Sequence, residues 1–172
     1  VMSKEKLLIS SNEVFDKAEY RNRFELIGAN GKIIQTIPLL KWKKKQTSAG
    51  NIKISNDTNW QHVHWQSIQS AYGRCSYFIF YADDFKKLYN QRFEFLIDWN
   101  TILLQTIFKQ IRSKTEILLV NQLPQKEKTC QFHLTEYYQP FSHKFGFSAD
   151  QNILDLIFNL GPDANKYLKN LS

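Results

Sequence analysis

A histidine in the middle of an apolar helical stripe is the first feature of this sequence that suggests chemistry. Residues 59–73 have the periodicity of one helix, and the helical wheel places His64 among its apolar side chains. Ser67 follows three residues later, so the two side chains are neighbours. An imidazole can serve as a general base or acid near neutral pH, and Tyr72 would place a phenol at the rim of a pocket. We predict His64, Ser67 and Tyr72 as catalytic residues.

A structural interpretation of the same histidine stays open. Spacing identifies no acidic residue that would orient the imidazole, and a Ser–His pair without one is a weak indication of a catalytic triad. Asn100 falls within the apolar face of a predicted helix, where a polar group must find hydrogen bonds. His64 would then be a core residue bonded to a backbone carbonyl or to Asn100. We predict Asn100 as a polar core residue or a support of the site.

A cluster of basic and amide side chains precedes a predicted hairpin and consists of Lys17, Arg21, Asn22 and Arg23. Such groups bind phosphate or carboxylate through charge-assisted hydrogen bonds. Strand alternation places the two arginines on one face and Asn22 on the other, so both reach one anion only if that face lines a cleft. We predict these four residues as the substrate or anion-binding group. The alternative is a surface strand with alternating charges.

Metal ligands are not indicated by spacing. His62 and His64 lie two residues apart, so a helix turns them to different faces. Asp83 and Asp84 can bind a divalent ion with a phosphate, but a helix N-terminus favours carboxylates for its own dipole. We therefore predict no metal site, and the sequence leaves any cofactor unknown.

Length and composition suit one globular domain over residues 1–172, because 42% of the residues are hydrophobic. Cys75 and Cys130 are far apart and form no metal-binding cluster, so we interpret both as reduced thiols. His133 and His143 have no partner that spacing identifies and are interpreted as surface or local hydrogen-bonding residues. Neither an export signal nor a long apolar run is visible, so the expected location is the cytoplasm.

The formal net charge of +7 suggests an anionic partner, and its densest basic run is residues 41–45. This run lies between an apparent strand and a polar segment, which is typical of an exposed loop. No zinc finger, RNP motif or similar module accompanies it. Nucleic acid is therefore the less favoured partner, and an anionic small molecule is preferred.

The predicted elements alternate between strands and helices. Asn30-Gly31 supplies the positive φ angles of a tight hairpin turn between strands at 24–27 and 33–39. The other predicted strands are residues 6–10, 51–55, 116–120 and 131–134. The predicted helices are residues 59–73, 82–89 after a loop at 77–81, 93–111, 153–160, and a short one from Pro162 through Leu168. Polar residues 122–128 and aromatic residues 137–147 are predicted as irregular.

This order of elements predicts an α/β (or α+β) domain with a mixed sheet, an N-terminal β-hairpin region and several packed helices. The strand at 116–120 follows a helix, as a crossover connection requires, so it is expected to lie parallel to an earlier strand.

Several separated motifs, in this order, resemble the WbqC-like family along nearly the whole chain. They are Lys17-x-x-Tyr20-x-Asn22-Arg23, Ala29-Asn30-Gly31 leading to Ile37-Pro38, Asn59-Trp60-x-x-x-His64-x-x-Ser67-Ile68-x-x-x-Tyr72-Gly73-x-x-x-Tyr77-Phe78, Asp98-Trp99-Asn100, and Asn152-Ile153-Leu154-Asp155-Leu156-Ile157-Phe158-Asn159-x-Gly161-Pro162. Family members usually begin with a Pro- and Tyr-rich stretch that this sequence lacks, and Asn152 stands where a serine is common.

The resemblance implies a bacterial cytoplasmic protein of O-antigen or other surface-polysaccharide biosynthesis, whose reaction is largely unassigned. Three functions are compatible with it. The first is a transferase acting on a sugar or nucleotide-sugar, in which Arg23 with Lys17 and Arg21 holds an anionic group and His64 moves a proton. The second is a non-catalytic binding or scaffold protein that uses exposed aromatic residues. The third and weakest is nucleic-acid binding through residues 41–45.

Overall fold

The computed structural model describes residues 6–44, 46–123 and 134–171. The predicted strand at 131–134 and polar loop at 122–128 fall largely outside these ranges, as do Lys45, Cys130 and His133. The described strands are β1 (Lys6–Ser10), β2 (Arg23–Gly28), β3 (Gly31–Thr36) and β4 (Glu116–Val120). The described helices are α1 (Trp60–Tyr72), α2 (Phe78–Tyr89), α3 (Leu96–Gln110), α4 (Ser142–Phe145), α5 (Ile153–Leu160) and α6 (Ala164–Lys169). The α/β class is confirmed.

The described strands form two separate two-stranded sheets. β1 and β4 pair in parallel, with Leu8 opposite Leu118, which confirms the expected parallel crossover. β2 and β3 pair antiparallel from Arg23 opposite Thr36 to Gly28 opposite Gly31, which confirms the hairpin. Parallel and antiparallel pairing are thus both present, each in its own sheet.

The hairpin turn differs in detail from the prediction. Gly31 has φ +109, whereas Asn30 is not among the non-glycine residues with positive φ. The loop residues are Ala29 and Asn30, and the turn is closed by one positive φ angle, at Gly31. Such a turn is a common alternative to one with two positive φ angles.

Two predicted boundaries shift because tertiary contacts outweigh local pattern. α2 begins at Phe78, four residues earlier than predicted, where Phe78 packs against Phe158 with ring centroids 4.9 Å apart. Residues 93–95 stay extended ahead of α3, because Ile54 N donates to Glu94 O and Leu96 N donates to Ile52 O. The predicted strand at 51–55 accordingly makes isolated bridges only, to Leu39 and Phe95.

Aromatic rings form the centre of the core. The indole of Trp99 lies edge-on to Trp60 and to Tyr89, with centroids 5.1 and 5.0 Å apart. The imidazole of His64 lies edge-on to the same Trp60, at 5.1 Å, and to Phe24, at 5.5 Å. We call these five residues the aromatic cluster. The apolar stripe predicted for α1, in which His64 lies among Trp60, Trp65, Ile68, Ala71 and Tyr72, is confirmed, because these six residues are buried.

His64 is a buried, weakly bonded imidazole. Its ring is 2% exposed, and its Nε2 lies 3.2 Å from the carbonyl oxygen of Thr36. Burial disfavours the charged ring and lowers its pKa from 6.5 to about 4, although the Thr36 carbonyl acts in the opposite direction. The imidazole is therefore neutral at physiological pH.

The end of α5 requires a glycine. Gly161 has φ +54, and a Cβ there would lie 2.4 Å from two ring atoms of Tyr77. We expect Gly161→Ala to lower the free energy of unfolding more than Gly146→Ala, where φ is +76 but nothing lies within 4 Å. Backbone strain costs about 1–3 kcal/mol in both variants, and the clash adds about 1–3 kcal/mol in the first. Urea titrations of both variants measure the difference, and equal losses would contradict this packing.

The buried histidine makes stability depend on pH. Between pH 6.5 and 4 the unfolded chain binds a proton on His64 that the native chain does not, so stability falls as pH falls through this window. We expect His64→Phe to remove up to about 3 kcal/mol of this loss. Urea unfolding at several pH values measures it, and His62→Gln on the exposed face of α1 is the matched control. An unchanged slope in His64→Phe would show that the native ring titrates freely.

Candidate functional site

One cavity has a volume of about 520 Å³, which is within the range of small-molecule sites. β1, α3, the start of α5 and the segment 20–24 surround it. Its lining residues are Leu8, Ile9, Ser10, Glu13, Tyr20, Arg21, Asn22, Arg23, Phe24, Ile37, Tyr89, Trp99, Asn100, Leu103, Leu104, Ile107, Leu123, Asn152, Ile153 and Leu154. Four predicted site residues, Arg21, Asn22, Arg23 and Asn100, are thus brought together.

The backbone that carries the two arginines is fixed by buried amides. Asn22 is 1% exposed, its Nδ2 donates to Ile37 O at 3.0 Å, and Ile37 N donates to Asn22 O at 2.7 Å. Asn100 on α3 donates through Nδ2 to Arg21 O at 2.9 Å. Asn22 and Asn100 therefore position the basic residues. In both residues, the described hydrogen bond of the side-chain Nδ2 goes to a backbone carbonyl oxygen.

A tight turn precedes Arg23. Tyr20 has φ +57, a left-handed conformation that is uncommon for a large side chain, and Arg23 N donates to Tyr20 O at 3.3 Å. The turn brings the Arg23 guanidinium over the Tyr20 ring, with Cζ 3.9 Å from the centroid. The strained residue thus holds the cation beside the cavity.

Arg21 and Arg23 differ in their partners. Arg21 Nη2 lies 2.7 Å from Glu13 Oε2 and 2.5 Å from Glu19 Oε2. Burial lowers the pKa of Arg21, but the hydrogen bonds and charges of the two glutamates outweigh it and raise that pKa overall. Two carboxylates therefore already balance the charge of this guanidinium. Binding of a ligand anion by Arg21 stays a prediction.

Arg23 differs from Arg21 in having no acidic partner among the described residues. Among the described residues no carboxylate forms an ion pair with it, and its buried Nε has no hydrogen-bond partner. The nearest acid along the strand, Glu25, is paired with Lys32 and accepts a hydrogen bond from Tyr20 at 3.3 Å. Lys32 has the largest effect on the lowered pKa of Glu25, and Arg23 contributes only a weaker Coulombic attraction. Arg23 is thus the cation of the cavity that is least compensated.

Lys17 does not join this group. It lies in a one-turn helix at Lys17–Glu19, its side chain is exposed, and it is absent from the cavity lining. The prediction that Lys17 shares an anion with the arginines therefore has no geometric support in this structure.

The histidine and serine predicted to act together are not bonded to each other. Ser67 Oγ donates to Val63 O at 3.0 Å and accepts from Gln35 Nε2 at 2.6 Å. His64 lies behind the cavity wall, where Phe24 and Tyr89 line the cavity and approach its ring. This arrangement corresponds to the alternative of a core histidine bonded to a backbone carbonyl. Catalysis by either residue stays a prediction.

Tyr72 is connected to the cavity through one intermediate residue. It is 1% exposed, and Asn152, which lines the cavity, donates to its hydroxyl at 3.4 Å. Burial raises the pKa of Tyr72, and the charge of Asp155 raises it further. A phenol held in its neutral form can donate or accept a hydrogen bond but is a poor base. A catalytic role for Tyr72 stays a prediction.

One buried carboxylate, that of Asp155, and the two residues that donate hydrogen bonds to it were not predicted from the sequence. Asp155 is 3% exposed and accepts hydrogen bonds from Tyr137 Oη at 2.6 Å and Gln139 Nε2 at 2.9 Å. Burial raises the pKa of Asp155 despite these two donors. The two hydrogen bonds to Asp155 fasten residues 137–148 to α5, and Gln139 also bonds the backbone of Ser148. Asp155 belongs to the motif that begins at Asn152. Its partners Tyr137 and Gln139 lie in an irregular segment, so no periodicity in the sequence indicated that they bond to it.

Candidate ligands for metal ions do not assemble in the part of the chain that the structure describes: no group of three or more His, Cys, Asp or Glu side chains is suitably placed. Asp83 and Asp84 lie in the middle of α2 and not at its N-terminus as predicted, because the helix begins at Phe78. Asp84 accepts hydrogen bonds from Lys109 at 2.7 Å and Gln110 at 2.6 Å. In the same ranges, no helix combines the length and apolar character needed to cross a bilayer.

Comparison with known proteins gives one result at the level of the family. A family model described as the WbqC-like protein family matches residues 1–140, which include β1 through β4 and the arginine pair. No curated protein and no solved structure matches the chain. The matched part exceeds half of the sequence and contains the segments that build the cavity except the start of α5, so the chain belongs to the WbqC-like protein family.

Proposed function

We propose that this protein is a transferase of bacterial surface-polysaccharide biosynthesis that binds an anionic small molecule, such as a nucleotide-sugar, in the 520 Å³ cavity. Family membership supports a polysaccharide-related pathway. The observation that carries the binding assignment is Arg23, a cation on the cavity wall that stacks on Tyr20 and forms no ion pair with a described carboxylate.

The assignment follows from what an uncompensated guanidinium can do. Planar guanidinium groups form paired, charge-assisted hydrogen bonds with phosphate and carboxylate oxygens. Stacking on Tyr20 fixes the plane of Arg23 without consuming its donors. Glu13 and Glu19 pair with Arg21 and form no ion pair with Arg23.

Exposed apolar side chains favour a second candidate, a non-catalytic binding or scaffold protein. Ile79 and Phe80, at the start of α2, are 78% and 74% exposed, and Tyr138 is 70% exposed. Large exposed apolar side chains that cluster are typical of protein interaction sites. The scaffold function predicts that no small ligand stabilises the protein.

The proposal is tested by a thermal-shift screen at fixed salt against nucleotide-sugars, free nucleotides and short oligonucleotides. A ligand present at about 100 times its Kd stabilises the native state by about 2.7 kcal/mol, which raises Tm by about 5–10 °C for a chain of this size. We expect this rise with a nucleotide-sugar. Arg23→Ala should weaken the binding about 10–100-fold, because a charge-assisted hydrogen bond contributes about 1.5–3 kcal/mol.

Arg74→Ala is the matched control, since it removes an exposed arginine that does not line the cavity. It should keep the full ligand-induced shift. A nucleotide-sugar shift that Arg23→Ala leaves intact would refute the role of Arg23. The absence of a shift with every small ligand would favour the scaffold function, and a shift with oligonucleotides alone would favour residues 41–45 as a nucleic-acid contact.

A further inference from the structure

The walls of the cavity are made mainly of hydrocarbon. α3 contributes Leu103, Leu104 and Ile107, which line the cavity together. Leu8 of β1 and Leu154 of α5 also belong to this wall, as do the rings of Phe24, Tyr89 and Trp99. Leu103 and Leu104 are only half-buried, although their helix packs into the core. Apolar side chains that remain accessible inside a concave site gain free energy when an apolar ligand covers them.

The polar residues of the lining are largely occupied by other protein groups. Arg21 is bonded to Glu13, Asn100 to the Arg21 carbonyl, and Asn152 to the Glu25 carbonyl. Ser10 donates to Asn121 O at 3.3 Å. The hydroxyl groups of a sugar would lose water here and find few free partners, which costs free energy for each unbonded hydroxyl. The leucine wall of α3 is therefore better suited to a chain than to a sugar ring, so the sugar of a nucleotide-sugar bound through Arg23 would lie away from Leu103 and Leu104.

One cation and an apolar interior define a ligand with two parts. Arg23 attracts an anionic group, and the leucine wall of α3 accepts a hydrocarbon group. We infer that the cavity binds an anion attached to a hydrocarbon chain, as in an acyl carboxylate or an alkyl phosphate, with the anion at Arg23 and the chain against Leu103 and Leu104. This inference rests on the assignment of the cavity as the ligand site. It adds that one substrate of the proposed transferase carries an acyl or alkyl group.

The inference predicts a dependence of affinity on chain length. Straight-chain carboxylates of four to ten carbons and alkyl phosphates of the same lengths are titrated by calorimetry below their critical micelle concentrations. Each buried methylene should tighten Kd about fourfold until the chain fills the cavity. The two series distinguish a carboxylate ligand from a phosphate ligand. Alcohols of the same lengths serve as uncharged probes, and Arg23→Ala should weaken the anions about 10–100-fold but leave the alcohols unchanged.

Two opposite substitutions at one wall residue locate the chain. Leu104→Phe reduces the space and should shorten the chain length at which the gain in affinity stops. Leu104→Ala enlarges the space and should lengthen it. Ile102→Ala is the matched control on the same helix, because Ile102 is 37% exposed and does not line the cavity. If one Leu104 variant fails to fold, the other still gives the direction of the shift.

The outcomes separate this inference from the proposed function. A Kd that does not change with chain length, or a limit that neither Leu104 variant moves, would overturn the inference. If nucleotide-sugars then still bind through Arg23, the proposed function stands without it. A chain-length gain that depends on Leu104, with no binding of any sugar compound, would support the inference and overturn the sugar substrate.

Discussion

The requirement that buried amide groups be hydrogen-bonded determines where the basic residues of this protein lie. Asn22 is almost completely buried, and its side-chain Nδ2 and its backbone both bond to Ile37, whereas its Oδ1 has no partner among the described residues. Leaving such an amide unbonded costs about 1–3 kcal/mol, so the segment around it has little freedom to move. Arg21 and Arg23 are the neighbours of Asn22 in sequence, so the hydrogen bonds between Asn22 and Ile37 fix the backbone of both arginines at the cavity.

Helix α3 connects this constraint to the apolar wall. Asn100 bonds to the backbone of Arg21, while Leu103 and Leu104, one turn further on, line the cavity. Because a helix is rigid over a single turn, the distance between the basic segment and the leucine wall is set by α3. Trp99 secures the same helix in the aromatic cluster through its contacts with Trp60 and Tyr89. Three rings of the aromatic cluster, those of Phe24, Tyr89 and Trp99, thus form part of the cavity wall. His64 packs behind Phe24 and Tyr89 as a neutral ring.

Patterns of local origin were predictable from the sequence. The hairpin, β1, β4 and α1 follow from turn chemistry and hydrophobic periodicity, and the buried position of His64 follows from the helical wheel. The wheel identifies the buried face of α1 but not what that face contacts, so it did not distinguish a ring in a cavity from a ring behind Phe24 and Tyr89. The pairing of residues 51–55 with residues 94–96 likewise depends on contacts that no local pattern encodes.

The sequence predicted which residues belong to the candidate site but not which groups they bond to. The clustering of Arg21, Asn22 and Arg23 in sequence predicted an anion site. It gave no indication that Glu13 and Glu19 compensate the first arginine. Asn152 lies 127 residues from the Glu25 carbonyl that it bonds, and Asp155 bonds Tyr137 across 18 residues. Partners at such separations are brought together by the packing of α5 and the irregular segment, which single-sequence periodicity does not describe.

The different partners of the two arginines have a functional consequence. A carboxylate bonded to a guanidinium competes with any anionic ligand for the same donors, so a ligand at Arg21 would have to displace Glu13 and Glu19. An aromatic face attracts the cation without cancelling its charge, so Arg23 stays attractive to an anion while Tyr20 fixes its orientation. Glu25 is similarly kept from Arg23 by its pairing with Lys32. The acids near the cavity are thus held by Arg21 and Lys32, and the attraction for an incoming anion is concentrated at Arg23.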